Sequence, residues 1–195
     1  NKSILVPTAH DEPEFHFTFN STLMHKAQTI LVNSRWEQKF ISQVYPFTTN
    51  KTSILGVGFD PPVHMNHHPN HLKLPLAQHE KFILYLGRVS KGKNIHTLIS
   101  YLKRHNEFNV ENHTPSTTLI IAGENDKSIK TPASPHIIYV GKVSENSKHY
   151  LLDKASAVVN PSSKESLSIL VLEAIMHNKP VIVNNQCQLL RRYSE

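Results

Sequence analysis

The amino-acid sequence predicts an α/β protein in two pieces, and three observations carry that expectation. Short apolar runs alternate with stretches of helical spacing, the pattern of βαβ units around a mostly parallel sheet. The stretch 61–79, PPVHMNHHPNHLKLPLAQH, breaks this alternation with four prolines, five histidines and no periodicity, as a linker does. The chain has 195 residues, 38% apolar and 18% charged, which is neither a disordered nor a fibrous composition. A chain of this size buries roughly 70% of the surface it exposes when unfolded, so a true core is expected.

Taken in order, Ser3–Pro7 (SILVP) reads as a short buried strand, Phe17–Ala27 as a helix and Thr29–Asn33 (TILVN) as a second strand. Ser34 opens the next helix with Glu37 three residues on, a capping box that satisfies two orphan N–H groups reciprocally. This helix runs through Trp36, Phe40 and Val44 and stops before Pro46; Ser53–Val57 is a third strand. Beyond the linker, strands are expected at Phe82–Leu86, Thr118–Ala122, Ile137–Val140, Ala157–Asn160 and Pro180–Asn184. Helices fit between them at Asn94–His105, Ser144–Ala155 and Leu167–His177. Ligands of such sheets gather at the C-terminal ends of the strands.

Composition excludes several classes. The longest apolar runs, FILYL and SILVLEAI, fall far short of the roughly 20 residues that span a bilayer. No charged-then-apolar leader precedes the first strand, so no signal peptide is expected. The single cysteine, Cys187, forbids an internal disulfide framework and reads as a small buried thiol, which fits a reducing, cytoplasmic setting. Net charge is +6, and residues 80–195 carry fifteen basic against ten acidic groups. That excess favours an anionic partner: nucleotide phosphate, the head groups of an anionic membrane or, least of the three, nucleic acid. The basic residues form no block and have no aromatic cluster among them, so nucleic acid is not expected as a partner.

Two motifs can carry chemistry. The first, Gly87-Arg88-Val89-Ser90-Lys91-Gly92-Lys93-Asn94, lies directly after a strand and before a helix. Its glycines admit close backbone approach, the helix start supplies N–H groups, and Arg88 and Lys93 add two charges, a cradle for a diphosphate. It also nearly matches the P-loop pattern, with Asn94 where a magnesium-binding hydroxyl belongs. The second motif is Glu165-Ser166-Leu167-Ser168-Ile169-Leu170-Val171-Leu172-Glu173, two carboxylates separated by seven residues. With Ser168 as N-cap, both carboxylates can face the mouth of the sheet and accept hydroxyls of a polyhydroxylated ligand. The bland alternatives are solvated loop charges at Arg88 and Lys93 and surface carboxylates at Glu165 and Glu173.

In sequence, GRVSKGKN, LIIAGE, IIYVGKVSENSKHYLLDKASAVVNPSSKESLSILVLEA and KPVIV together resemble the donor-binding domain of family 4 retaining glycosyltransferases. ILVPTAHDEPEF, AQTILVNSRWEQKF and SILGVGFD resemble the end of that family's acceptor-binding domain. The resemblance implies the GT-B fold: residues 1–60 the end of an N-terminal Rossmann-like acceptor domain, 61–79 the interdomain linker, and 80–195 a Rossmann-like nucleotide-sugar domain lacking its last helix. It further implies that Arg88 and Lys93 hold the donor diphosphate, Glu173 the ribose hydroxyls and Glu165 the hydroxyls of the donor sugar. Backbone N–H groups of Ser168, Ile169 and Leu170 would cap the phosphates, and main chain at Val143 would contact the base. His10, in the sequence HDE, would reach the transferring sugar.

The implied function is transfer of a hexose from a nucleotide-diphosphate sugar to a carbohydrate or lipid-linked saccharide acceptor, with no divalent metal and no other cofactor, in cell-envelope polysaccharide or lipopolysaccharide assembly. The implied place is the cytoplasm, with peripheral contact at the inner face of the cytoplasmic membrane. The family's glycine-aromatic-glycine after the first Glu is replaced by Ser166-Leu167-Ser168, and much of an acceptor domain would precede SILVP, so a fragment of a longer enzyme is expected. Two alternatives stand beside this reading: a magnesium-dependent P-loop switch, and a nucleotide-sugar-binding module without activity. His64, His67, His68 and His71 read as solvated linker rather than metal ligands, because Pro69 interrupts them. Trp36 and Phe40 read as core, and Glu124 as a surface loop residue.

Overall fold

The computed structural model describes residues 4–6, 21–58, 81–130, 132–165 and 167–193. They form two compact units: one from the described residues within 1–60, 164–168 and 187–195, the other from those within 61–163 and 169–186.

The first unit holds a three-stranded parallel sheet in the order β1 (Ile4–Leu5), β2 (Thr29–Val32), β3 (Thr52–Ile54). Helix α1 (Ser21–Lys26) precedes β2, and α2 (Arg35–Val44) follows it. Met24, Ala27, Ile30, Val32 and Ile41 form its core. Lys51, at the end of a 3-10 turn (Pro46–Lys51), donates to the carbonyls of Met24, His25 and Ala27 at 2.5, 3.1 and 3.1 Å. A cation there satisfies carbonyls that the end of α1 leaves open.

The cap of α2 differs from the expected box by one residue. Ser34 Oγ accepts from the Glu37 N–H at 3.2 Å, but the Glu37 carboxylate accepts from the Asn33 N–H (2.7 Å) rather than from the cap residue's own. This draws Glu37 fully under the helix, where its Oε1 is buried without a hydrogen-bond partner among the described residues. Burial pushes its pKa above the ordinary 4.5, opposed by the Asn33 bond. A carboxylate raised on folding contributes stability below its unfolded value and loses it as pH rises through the folded one. Glu37→Gln, neutral at every pH, is therefore expected to gain on the wild type as pH rises above 4.5. Melting midpoints measured from pH 4 to 8 check this; a constant difference between the two proteins would refute it.

The second unit is a five-stranded parallel sheet in the order β6-β5-β4-β7-β8, with β4 Phe82–Leu86, β5 Thr118–Ala122, β6 Ile137–Gly141, β7 Ala157–Asn160 and β8 Val181–Val183. Its helices are α3 (Ile95–Glu111), α4 (Glu145–Lys154) and α5 (Ile169–Met176). A four-residue helix, α6 (Gln188–Arg191), returns to the first unit. Every residue of β5 is buried, as a parallel strand covered on both faces must be. Leu84, Ile120, Ile121, Leu151, Leu152 and Val158 lie at the centre of the core.

Helix α3 runs six residues past the expected end at His105. Asn106 explains the extension: its side chain bonds both backbone groups of Thr117, the N–H at 2.8 Å and the carbonyl at 2.9 Å. Asn109 adds a bond to the Pro115 carbonyl at 3.0 Å. Cys187 is buried and free, as expected. The expected linker, its histidines and the first part of the expected helix Phe17–Ala27 lie outside the described residues.

Candidate functional site

Strand order dictates where a site can form. The chain builds outward from β4 to β5 and β6, then returns to place β7 and β8 on the other side of β4. Connections leaving β4 and β7 therefore diverge, which opens a crevice at the C-terminal ends of these two neighbours. Both motifs singled out in the sequence come after these strands: residues 87–94 follow β4, and residues 165–173 come after β7.

The 87–94 loop is tightly sewn. The N–H groups of Gly87, Val89 and Lys91 donate to Ala122 O (3.0 Å), Glu124 O (2.8 Å) and Ser128 Oγ (3.2 Å). Those of Lys93 and Asn94 donate to Ser90 O (3.3 Å) and Lys91 O (2.9 Å). A P-loop needs such groups turned toward phosphate, so this loop is no P-loop cradle; what it offers an anion is chiefly side-chain charge. Asn94 takes a left-handed conformation (φ 55°), and its amide donates to the Pro161 carbonyl at 3.2 Å, where Asn184 also donates at 3.1 Å. The residue standing in the magnesium-binding position thus ties the ends of β4, β7 and β8 together. Arg88 is exposed and Lys93 half-buried. Serine 128 holds the Asp126 carboxyl below its usual range by hydrogen bonding, and the charges of Arg88 and Lys91 add to this.

Glu173 lies in the second turn of α5, its side chain 17% exposed. The Lys148 ammonium of α4 donates to Glu173 Oε1 at 2.7 Å and to Glu145 Oε2 at 2.6 Å. Ser144 caps α4 by accepting from the Ser147 N–H at 3.3 Å, which fixes the half-buried Val143 at the helix entrance. Ile169 is exposed at the start of α5, while Leu170 turns into the core.

Glu165 and Ser168 belong to the first unit. Ser168 is buried and immediately precedes α5. Glu165 is half-buried; burial raises the Tyr193 hydroxyl pKa, and the Glu165 charge raises it further. His10 and Ser166 lie outside the described residues. Within the second unit the fold thus presents Arg88, Lys93, Val143 and Glu173 on connections after β4, β6 and β7.

Lys148 and a part-buried chain beside it were not read from the sequence. His177 Nδ1 meets Asp153 Oδ1 at 2.7 Å, and its Nε2 meets His149 Nδ1 at 3.0 Å. These contacts fasten α4 to α5. Glu145 and Lys148 signal an i,i+3 pair, but the third partner is 25 residues on, beyond any local pattern. A separate cleft of about 920 Å³ runs along α3 toward β8, lined by Asn94, Asn160 and Asn184 but by neither Arg88 nor Glu173. Among the described residues no cluster of three or more His, Cys, Asp or Glu could hold a metal, and no helix is long and apolar enough to cross a membrane.

Comparison with known proteins bears on this geometry. Residues 68–193 match the family described as glycosyl transferases group 1. Glycogen synthase of Mycobacterium tuberculosis is 31% identical over 110 residues, which are 53% of this chain and 25% of that protein. Among solved structures, Alr3699/HepE of Anabaena, in complex with UDP and glucose, superposes with a TM-score of 0.68 at 17% identity over 94% of this chain and 53% of that one. WaaG, a glycosyltransferase involved in lipopolysaccharide biosynthesis, gives 0.62 at 15% identity, covering 98% and 59%. The chain thus spans about a quarter of the curated relative and little more than half of these structures, and it shares their two-sheet GT-B fold.

Proposed function

The chain belongs to the glycosyl transferases group 1 family, and on that premise we propose that it forms part of a retaining glycosyltransferase that moves a hexose from a nucleotide-diphosphate sugar to a hydroxyl acceptor. The observation that carries this reading is the pairing of two cations on the loop after β4 with a held carboxylate, Glu173, on the helix after the neighbouring β7. Diphosphate needs the first, ribose hydroxyls the second, and the sheet's switch point sets both at one edge. The bound UDP and glucose in the Anabaena structure support a nucleotide-sugar donor.

In this reading Arg88 and Lys93 meet the diphosphate, backbone N–H groups of Ser168, Ile169 and Leu170 cap it, and Val143 main chain meets the base. Glu165 takes hydroxyls of the donor sugar and His10 reaches it from the acceptor side. Residues 1–60 are the end of the acceptor-binding domain, 61–79 the linker and 80–195 the donor-binding domain. As the glycosidic bond to phosphate breaks, negative charge grows on the leaving diphosphate. Cations fixed beforehand stabilise that charge without reorganising, and losing one such group typically costs about a hundred- to a thousandfold in rate. The acceptor hydroxyl attacks from the face the phosphate leaves, and a phosphate oxygen takes its proton, so configuration is retained.

We read the reaction as independent of divalent metal, with Arg88 and Lys93 supplying the positive charge that a metal would otherwise bring to the diphosphate. The likeness to WaaG supports cell-envelope polysaccharide or lipopolysaccharide assembly. The basic excess suits a lipid-linked saccharide acceptor at the inner face of the cytoplasmic membrane.

Calorimetric titration of the chain with UDP, GDP, ADP and ATP, each with magnesium and with EDTA, tests this. One diphosphate is expected to bind equally well under both conditions, and its base names the donor. Binding confined to a triphosphate with magnesium would overturn the reading.

A further inference from the structure

Lys148 sits at the centre of a short charge relay in the second unit. It is the fourth residue of α4, downstream of Val143 and the Ser144 cap, and reaches across to α5. Its side chain is 21% exposed, and its ammonium bridges two carboxylates: Glu145, largely in solvent, and Glu173, largely out of it. Among the described residues the other Glu173 oxygen, Oε2, has no hydrogen-bond partner. Burial opposes the Lys148 charge, but its hydrogen bonds to Glu145 and Glu173, with their negative charges, outweigh burial and raise its pKa above 10.5. The ammonium therefore stays charged throughout the neutral range.

The contacts beneath this pair explain why it forms in one register. His177 lies four residues after Glu173, just past the end of α5, and His149 follows Lys148 on α4. The Asp153–His177–His149 chain and the bond from Lys179 Nζ to Asp153 O (2.6 Å) lock the two helices side by side. With the helices fixed, the reach of Lys148 is fixed, and so is the rotamer of Glu173.

Building on the function proposed above, we propose that Lys148 is a positioning residue of the nucleotide site: it clamps Glu173 by one carboxylate oxygen and so presents the carboxylate, oriented in advance, to the ribose hydroxyls. A free glutamate side chain must lose rotamer freedom when it binds, whereas a clamped one has lost it already, and that difference appears as affinity. Because Val143 immediately precedes the Ser144 cap of α4, the clamp links the position that meets the base to the one that meets the ribose. Lys148 itself touches no reacting atom in this scheme; it acts through Glu173.

The test compares UDP with 2′,3′-dideoxy-UDP, which lacks the ribose hydroxyls, on wild type, Lys148→Met and Lys148→Arg. If the screen finds GDP or ADP to be the bound diphosphate, the corresponding pair is used. Lys148→Met is expected to weaken the ribose nucleotide about tenfold, the size of one lost charge-assisted hydrogen bond. Its affinity for the dideoxy nucleotide should stay within about twofold of wild type, and Lys148→Arg should recover most of the loss. A purely structural role would weaken both nucleotides alike; that result, or an unchanged UDP affinity, overturns the positioning role while leaving the glycosyltransferase reading intact. A wild-type chain that binds none of the diphosphates overturns both.

Discussion

Gly123→Ala is expected to cost about 4 kcal/mol or more, enough to leave the second unit unfolded. A Cβ built at Gly123 falls 1.8 Å from the carbonyl oxygen of Gly87 and 2.7 Å from its carbonyl carbon. Both are backbone atoms that cannot rotate away. The φ of +143° is a second barrier, since L side chains rarely adopt it. The position is also a seam: Gly123 N donates to Gly141 O at 2.8 Å, Gly87 N to Ala122 O at 3.0 Å, and Tyr139 Oη to Gly123 O at 2.9 Å. Moving the strand end to relieve the clash therefore breaks the closure of β4, β5 and β6 together and displaces the loop that carries Arg88 and Lys93.

Two other glycines calibrate the claim. Gly92 has an ordinary backbone and only Ser90 Oγ near its missing Cβ, at 3.9 Å, so Gly92→Ala should stay within about 0.5 kcal/mol of wild type. Gly141 is left-handed (φ +71°) but surrounded by open space, so Gly141→Ala should lose only about 1–2 kcal/mol, the conformational cost alone. Urea unfolding followed by circular dichroism ranks the three. A Gly123→Ala protein with the midpoint of Gly92→Ala would refute the close-approach argument.

That seam also separates what the sequence discloses from what it withholds. Strands β4, β5 and β7 begin and end at the expected residues, because each is an unbroken apolar run bounded by Gly, Pro or polar punctuation. The end of α3 and the cap bonding of α2, whose bounds fall as expected, were harder to place. Asn106 counts as a weak helix former by propensity, yet here it holds the helix by bonding Thr117, eleven residues away. Glu37 stands at the spacing of a capping box, but its carboxylate reaches one residue further back. The switch point followed from the alternation of elements once strand order was known, and so did the location of both motifs at it. Lys148 did not, because its partner lies on another helix and only packing of α4 on α5 brings them within 2.7 Å. A one-dimensional pattern records neighbours on one element; clamps between elements are tertiary facts.

Glu173→Ala should abolish measurable nucleotide binding, a loss of about a hundredfold or more, while inorganic diphosphate binds as before. A carboxylate accepts two hydroxyls at once, and each charge-assisted bond in a shielded site is worth about 1.5–3 kcal/mol. The side chain is only 17% exposed, so water replaces it poorly once it is removed. Alanine leaves Lys148 held by Glu145 alone, still positive and now facing the site without a compensating carboxylate. That change should, if anything, favour the diphosphate group, which makes inorganic diphosphate a sensitive control for the Arg88 and Lys93 half of the site. Glu173→Gln keeps an oxygen for Lys148 but loses the charge and turns the other acceptor oxygen into an NH2 donor, so its affinity should fall between those of wild type and Glu173→Ala, roughly tenfold below wild type. Calorimetric titrations of the three proteins with the preferred diphosphate and with inorganic diphosphate separate the outcomes. Equal loss of both ligands in Glu173→Ala would mean the helix pair has come apart; unchanged nucleotide affinity would remove Glu173 from the ribose site and end the assignment that Lys148 was inferred to serve.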